Sequence, residues 1–318
     1  MRMPEYMTLL PRRLNRLVVS FFLFTVVAVV VAACALQAEV KADLDTEEWR
    51  QQLLLSSVVE SEELQQHVAE RVQTQWLDWT DQQRQREVPS LLFMPAQSDN
   101  KRIPLVVFSH GLGGSRDRYT YLGQHWASQG IASLHVQHVG SDRKVWNGSR
   151  LLLPFRLRSA VSDEEALARV SDVKFALDQL LVSAYATNID VNKIVVAGHS
   201  YGANTAMLLT GAEVERDNRP IRLRDPRFVA AVLISAPPFY DDQPLEEILQ
   251  PLKVPSLHIT STLDETKVPG FYSAAEDRLA VYQAVGSPFK VMAIFYGGSH
   301  GVFSGRPPKP ERVVQDRV

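Results

Sequence analysis

Between Ile194 and Gly202 the chain reads Ile-Val-Val-Ala-Gly-His-Ser-Tyr-Gly. A β-branched run stops at Gly198, Ser200 follows, and Gly202 opens a segment of helix formers. Gly-x-Ser-x-Gly between a strand and a helix is the setting of a nucleophilic serine on a sharp turn. Such a turn has no room for side chains two residues either side of the serine, which explains glycine at 198 and 202. The turn pushes the hydroxyl out at the carboxyl edge of a sheet, within reach of a base and of amide donors. The five-residue pattern alone arises by chance in many proteins. Its flanking strand and helix make it a constraint on the fold: a strand must end, and a helix begin, within three residues.

The flanking sequence alternates to match. Apolar runs predict strands over 103–109, 131–137, 193–197, 228–235, 256–260 and 289–296. Helical spacing predicts helices over 119–129, 162–183, 203–210 and 274–283, with Ser162 and Glu165 forming a capping box. Near-continuous apolar strands alternating with helices imply an α/β protein, its mostly parallel central sheet covered by helices on both faces. Two antiparallel strands are expected first, over 76–79 and 88–95, joined by a polar turn at 81–87. Residues 143–161 break the rhythm with Trp146, Leu151-Leu152-Leu153-Pro154-Phe155 and several arginines. They read either as a lid or acyl-binding wall or as a loop packing its leucines on the core.

The N-terminus has a different character. Arg12, Arg13 and Arg16 precede an uncharged apolar run from 17 to 36, the pattern of an export signal over 1–35. Val31-Ala32-Ala33-Cys34 resembles a bacterial lipobox, so lipidation of Cys34, the sole cysteine, is the favoured reading. Ordinary cleavage after Ala35 and an uncleaved anchor are the alternatives. The favoured reading puts the protein in the bacterial cell envelope, tethered by lipid and facing the periplasm or exterior. Residues 36–75, with apolar side chains at roughly helical spacing, read as a helical spacer or cap before a catalytic domain over 76–318. With 318 residues and a formal net charge of -2, nothing suggests nucleic acid as a partner.

A serine hydroxyl needs a histidine to take its proton, and the histidine needs an acid to orient it. After a serine turn of this kind the acid and then the histidine follow in the chain. His300, in Tyr296-Gly297-Gly298-Ser299-His300-Gly301 after the last strand, is the expected base. His258 lies within an apolar strand and reads as a core residue. Asp264 follows the strand between serine and histidine and is the expected acid. Glu265 is adjacent but aimed differently, and Asp241 and Asp242 are runners-up after the preceding strand. Two backbone amides are needed to hold an oxyanion. Tyr201, next to the serine, supplies one. Ser109-His110-Gly111-Leu112-Gly113-Gly114-Ser115 supplies the other, expected at Leu112. His110 is read as shaping that loop by hydrogen bonding and His199 as packing or bonding beneath the turn. No metal site is expected: His135 and His138 are three apart on or just past a strand, with no ligand set to complete them.

With these residues placed, the sequence resembles the α/β-hydrolase superfamily, and within it the bacterial dienelactone-hydrolase-type proteins related to platelet-activating-factor acetylhydrolases. The resemblance rests on Val107–Ser115, His138-Val139-Gly140-Ser141-Asp142, 169–180, 198–202 and 297–301, in order, and spans about 84–304. It implies a serine carboxylic-ester hydrolase that uses Ser200, Asp264 and His300 through an acyl-enzyme, without a cofactor, on a small-molecule or lipid-like ester. Two departures stand out. True dienelactone hydrolases use a cysteine nucleophile, where this chain has Ser200. Such folds also place a substantial helix after the histidine loop, whereas 302–318 carry early prolines, so a short or missing last helix is expected. A thioesterase, lipase or peptidase would use the same machinery, and a non-catalytic binding protein on this scaffold is a further alternative.

Overall fold

The computed structural model describes residues 71–96, 102–240, 243–268 and 270–305. The chain enters through β1 (Val72–Asp81) and β2 (Arg86–Pro95), an antiparallel pair in continuous register from Val72 opposite Pro95 to Asp81 opposite Arg86. Val72–Gln75, expected to be helical, thus belong to a strand. Their pairing with the apolar stretch Leu92–Pro95 outweighs the helical spacing of the residues before them. The rest of 36–70, together with the export signal and Cys34, lies outside the described residues.

From there strands and helices alternate: β3 (Ile103–Ser109), α1 (Thr120–Ser128), β4 (Ala132–Val136), α2 (Leu153–Ala160), α3 (Asp163–Val182), β5 (Ile189–His199) and α4 (Tyr201–Thr210). A hairpin follows, β6 (Glu213–Arg216) and β7 (Arg219–Arg222), turning at Asp217 and Asn218, both with positive φ. The sequence reading missed this hairpin, whose strands are short and charged. Next come β8 (Phe228–Ile234), α5 (Leu245–Leu249) and β9 (Ser256–Leu263). A second hairpin, β10 (Thr266–Val268) and β11 (Phe271–Ser273), precedes α6 (Glu276–Ala284) and β12 (Lys290–Ser299).

Eight strands form one sheet in the order β1-β2-β4-β3-β5-β8-β9-β12. The pairs from β4 through β12 are parallel, and β2 alone runs against its neighbours. Alternation along the central strands divides the core. Leu105, Val107, Ile194 and Val196 face one side, with Val170, Val173 and Leu177 of α3 and Ala203, Ala206 and Met207 of α4. Val106, Phe108 and Ala197 face the other, with Tyr119 and, from α1, Leu122 and Trp126. Both faces are therefore covered, as near-continuous apolar strands require.

Register then brings the loops together. Ser109 pairs with Gly198, so the loop after β3 emerges beside the turn after β5. Leu263 pairs with Ser299, so the segments after β9 and β12 emerge side by side. One expectation about α3 changes: Ser162 Oγ does accept the Glu165 amide at 3.3 Å, but the Glu165 carboxylate turns inward to Arg86 and Ser141 instead of closing a capping box. No helix among the described residues is long and apolar enough to cross a membrane.

Candidate active site

Ser200 sits between β5 and α4 with φ 55° and ψ -123°, a conformation that non-glycine residues rarely hold. Its surroundings enforce it. A Cβ on Gly198 would lie 2.1 Å from the Gly202 carbonyl oxygen, and one on Gly202 would lie 1.9 Å from that of Ser109. The Ser200 amide donates to Ile234 O at 2.8 Å, pinning the turn to the end of β8. The side chain is 9% exposed, at the rim rather than in the core.

His300 Nε2 lies 2.8 Å from Ser200 Oγ, and His300 Nδ1 lies 2.6 Å from Asp264 Oδ1. With the carboxylate accepting from Nδ1–H, Nε2 is left as an acceptor for the serine proton. Asp264 is fully buried. Burial raises its pKa, but the hydrogen bond and charge of His300, together with the Arg278 charge, outweigh it and hold the carboxyl well below its ordinary range. Arg278 Nε stands 3.5 Å from Asp264 Oδ1, and its terminal nitrogens donate to Ser273 Oγ and Thr266 Oγ1. Thr260 Oγ1 donates to Asp264 Oδ2 at 2.7 Å. Glu265 is exposed and pairs with Lys267 at 2.8 Å, away from His300. Asp241 and Asp242 lie outside the described residues.

The loop after β3 folds onto the serine turn. The Gly113 amide donates to Ser141 O and the Gly114 amide to Gly111 O, whereas the Leu112 amide donates to no group among the described residues. At the start of α4 the Tyr201 amide has no carbonyl one turn before it in the helix. These are the two amides expected to receive an oxyanion. The Leu112 side chain packs against a small cluster of Val145, Leu157 and Ala160, which Leu153 and Val268 also cover. Within 143–161, α2 thus anchors on the loop carrying Leu112, while Leu151 and Phe155 stand 86% and 72% exposed. The packing reading holds for Leu153 and Leu157, whereas Leu151 and Phe155 do not pack on the core.

The other histidines weighed in the sequence, His110, His135, His138, His199 and His258, are buried in internal contacts. His110 Nδ1 lies 2.8 Å from Gly111 O, and its Nε2 accepts the His138 amide. His199 Nδ1 lies 2.8 Å from Tyr119 Oη, and its Nε2–H donates to His300 O at 3.1 Å. His135 is enclosed by Phe93, Phe108 and Trp126, and His258 by Tyr282 and Ser256. Among the described residues no group of three His, Cys, Asp or Glu side chains has the makings of a metal site.

Sequence reasoning missed Arg278, Thr260 and Tyr119. Arg278 follows Glu276 and Asp277 on a short helix and reads as a surface residue. A signal did exist for a further group: Glu165, Arg169 and Asp172 recur at i, i+4 and i+7 of α3, on the side that carries Val173 and Ala176 into the core.

A family model described as platelet-activating factor acetylhydrolase, isoform II, matches residues 82–144. The chain is 26% identical over 140 residues to a platelet-activating factor acetylhydrolase of Canis lupus familiaris, covering 34% of this chain and 32% of that one. It is 24% identical over 228 residues to one of Cavia porcellus, covering 60% and 48%. The chain thus spans 32% and 48% of the lengths of these two curated relatives. A ferulic acid esterase from Streptomyces cinnamoneus superposes with a TM-score of 0.54 at 21% identity, over 77% of this chain and 82% of that structure. The chain has the α/β-hydrolase fold. Within that fold the family match runs from the turn between β1 and β2 to just past His138–Asp142. It takes in the loop bearing Leu112 and stops before Ser200, Asp264 and His300.

Proposed function

We propose that this chain is a serine carboxylic-ester hydrolase working by two-step acyl transfer. Ser200 Oγ attacks the ester carbonyl carbon while His300 Nε2 takes its proton. Asp264 holds the Nδ1–H tautomer and stabilises the imidazolium. The Leu112 and Tyr201 amides receive the oxyanion, and the loss of one such donor typically costs about 10²–10³ in kcat. The tetrahedral intermediate collapses, the alcohol leaves with the His300 proton, and Ser200 is acylated. Water, deprotonated by His300, then attacks the acyl carbon and releases the acid.

The observation that carries this reading is the unbroken string from Ser200 Oγ through His300 to Asp264, at 2.8 and 2.6 Å. The named relatives favour a short acyl group: two are called platelet-activating factor acetylhydrolases. An acetyl ester of a lipid-like alcohol is therefore the first substrate class to test. The basic-then-apolar N-terminus supports export, with Cys34 as lipid anchor in a bacterial envelope.

The purified chain is expected to hydrolyse p-nitrophenyl acetate and to be labelled at Ser200 by a fluorophosphonate. Ser200→Ala should lose both, with kcat falling by about 10⁴–10⁶. Turnover that persists in this variant defeats the assignment. Palmitate labelling that depends on Cys34, abolished by Cys34→Ser, tests the anchor.

A further inference from the structure

Arg169 and Arg278 are the two largest fully buried side chains among the described residues, and Arg169 belongs to none of the catalytic groups above. A guanidinium away from water needs strong compensation, yet none of its hydrogen bonds goes to a carboxylate. Nε donates to Thr205 Oγ1 at 3.0 Å, and Nη1 to Ser141 Oγ at 2.7 Å. Nη2 donates to Ser109 Oγ at 3.0 Å and makes a short bond to the His110 carbonyl. The guanidinium carbon also stands 4.3 Å from the centroid of the Tyr201 ring.

The carboxylates lie one step further out. Ser141 Oγ donates to Glu165 Oε1 at 2.8 Å. Ser109 Oγ meets His138 Nε2 at 2.9 Å, and His138 Nδ1 meets Asp172 Oδ2 at 3.0 Å. Arg84 and Arg86 close the far side on Asp172, and Arg86 reaches Glu165. A buried ionic group of this kind adds little stability over apolar residues of similar volume. Its contacts suggest another use. Two of the four acceptors, Ser109 Oγ and His110 O, introduce the loop that carries Leu112. Another, on Thr205, lies one turn into α4, and the ring under the cation belongs to Tyr201 itself. One rigid fork therefore touches both segments that carry the oxyanion amides, through a carbonyl and a side chain of one and through two side chains of the other.

We propose that Arg169 is a positioning residue that fixes the separation of the Leu112 and Tyr201 amides, and so tunes the oxyanion site. This rests on the acyl-transfer reading above. A planar guanidinium with donors on three nitrogens sets the relative placement of β3's loop and α4; an ammonium offers its donors from a single point and cannot span both.

The test uses the full chain and Arg169→Lys. Active sites are titrated with a fluorophosphonate, so every constant is expressed per competent serine. On p-nitrophenyl acetate, kcat should fall by about 10²-fold with KM nearly unchanged. The inhibition constant of trifluoroacetophenone, which adds to the serine as a tetrahedral alkoxide, should rise by the same factor as kcat/KM falls. A purely structural role instead lowers the number of competent sites and leaves both constants per site unchanged, which overturns the proposal. Where Arg169→Lys does not fold, Ser141→Ala and Thr205→Val each remove one acceptor, and each should weaken trifluoroacetophenone about fivefold per site. Unchanged inhibition in both also overturns it. A wild-type chain that is neither labelled nor active defeats the acyl-transfer reading. An active wild type matched per site by Arg169→Lys defeats only the role of Arg169.

Discussion

His199 lies against His300, ring centroids 5.0 Å apart, and its Nε2–H donates to the His300 carbonyl oxygen at 3.1 Å. The residue just before Ser200 thus holds the backbone of the residue whose ring meets Ser200 Oγ, across 101 positions of sequence. Tyr119 Oη, 2.8 Å from His199 Nδ1, fixes the His199 tautomer by donating to it, and it also accepts the Gly111 amide at 3.4 Å. The loop that carries Leu112 and the loop that carries His300 meet through these two side chains.

Tyr119→Phe removes the hydroxyl and leaves His199 Nδ1 buried without a donor. Leaving such a group unsatisfied costs about 1–3 kcal/mol. The urea midpoint should fall accordingly. His300 loses part of its support, so kcat on an acetyl ester should drop by about tenfold with KM little changed. Steady-state kinetics and urea unfolding on the same preparation check both parts.

Asp264→Asn keeps the shape of the acid but removes its charge. His300 then loses both its orienting acceptor and the partner that stabilises its imidazolium, and kcat should fall by about 10³–10⁴. Arg278 is left buried beside a neutral amide. Arg278→Met strips the same pair from the other side, leaving Asp264 with His300 and Thr260. Breaking a buried pair on one side typically costs about 3–5 kcal/mol, so each single variant should be less stable than the wild type. The double variant should lose clearly less than the two losses added together, because it leaves no uncompensated charge. Additive losses in thermal unfolding would show that Arg278 and Asp264 act independently.

Sequence alone made the succession of the main sheet's strands along the chain and the serine turn legible, because both rest on local rules. Apolar runs such as Ile103–Ser109 have one reading, and glycines at 198 and 202 have one steric reason. That His300 and Asp264 would be brought to Ser200 was legible from chain order. Arg278, Tyr119 and Arg169 were not assigned roles, because each acts on residues distant in sequence that only sheet register brings close. The hairpins at Glu213–Arg222 and Thr266–Ser273 escaped for another reason. Their strands are three or four residues long and mostly polar, so alternation gives no signal over so few positions. Val72–Gln75 show the converse, helical spacing overridden by a strand partner.

Acid should destabilise the fold well before the carboxylates protonate. Burial holds His135 and His199 down to about 3, with the nearby His300 charge adding to the effect at His199, and holds His258 down to about 4. Burial also lowers His110 and His138. Each stays neutral when folded, while the unfolded chain takes up protons below the ordinary value of about 6.5. Their contribution is fully present above that value and is lost as pH falls towards the folded values, by up to about 1.4 kcal/mol per pH unit for each group. Asp172, pushed up by burial, works in the opposite direction but as a single group. Urea midpoints should therefore fall steeply from pH 6.5 to pH 4. His135→Phe removes one titrating ring, and with it a buried Nδ1 that has no partner, so its midpoint should fall less steeply. Equal slopes for the two proteins exclude His135 as a contributor.

Leu157 and Phe155 lie two residues apart on α2, yet substitution should affect them oppositely. Leu157 is 5% exposed and belongs to the cluster that Leu112 packs against, while Phe155 is 72% exposed. Leu157→Ala opens a cavity in a small peripheral cluster, so a loss near the lower end of the usual range, about 2 kcal/mol, is expected. Phe155→Ala should leave stability within about 0.5 kcal/mol. The kinetic contrast is sharper. Loosening Leu112 lets its amide drift, so Leu157→Ala should lower kcat on an acetyl ester several-fold beyond what its unfolded fraction explains, an effect that active-site titration isolates. Phe155→Ala should match the wild type on acetyl esters. A change confined to longer acyl chains in Phe155→Ala marks the exposed face of α2 as an acyl-binding wall. An unchanged profile across acyl length leaves α2 with one task, bracing the loop that carries Leu112.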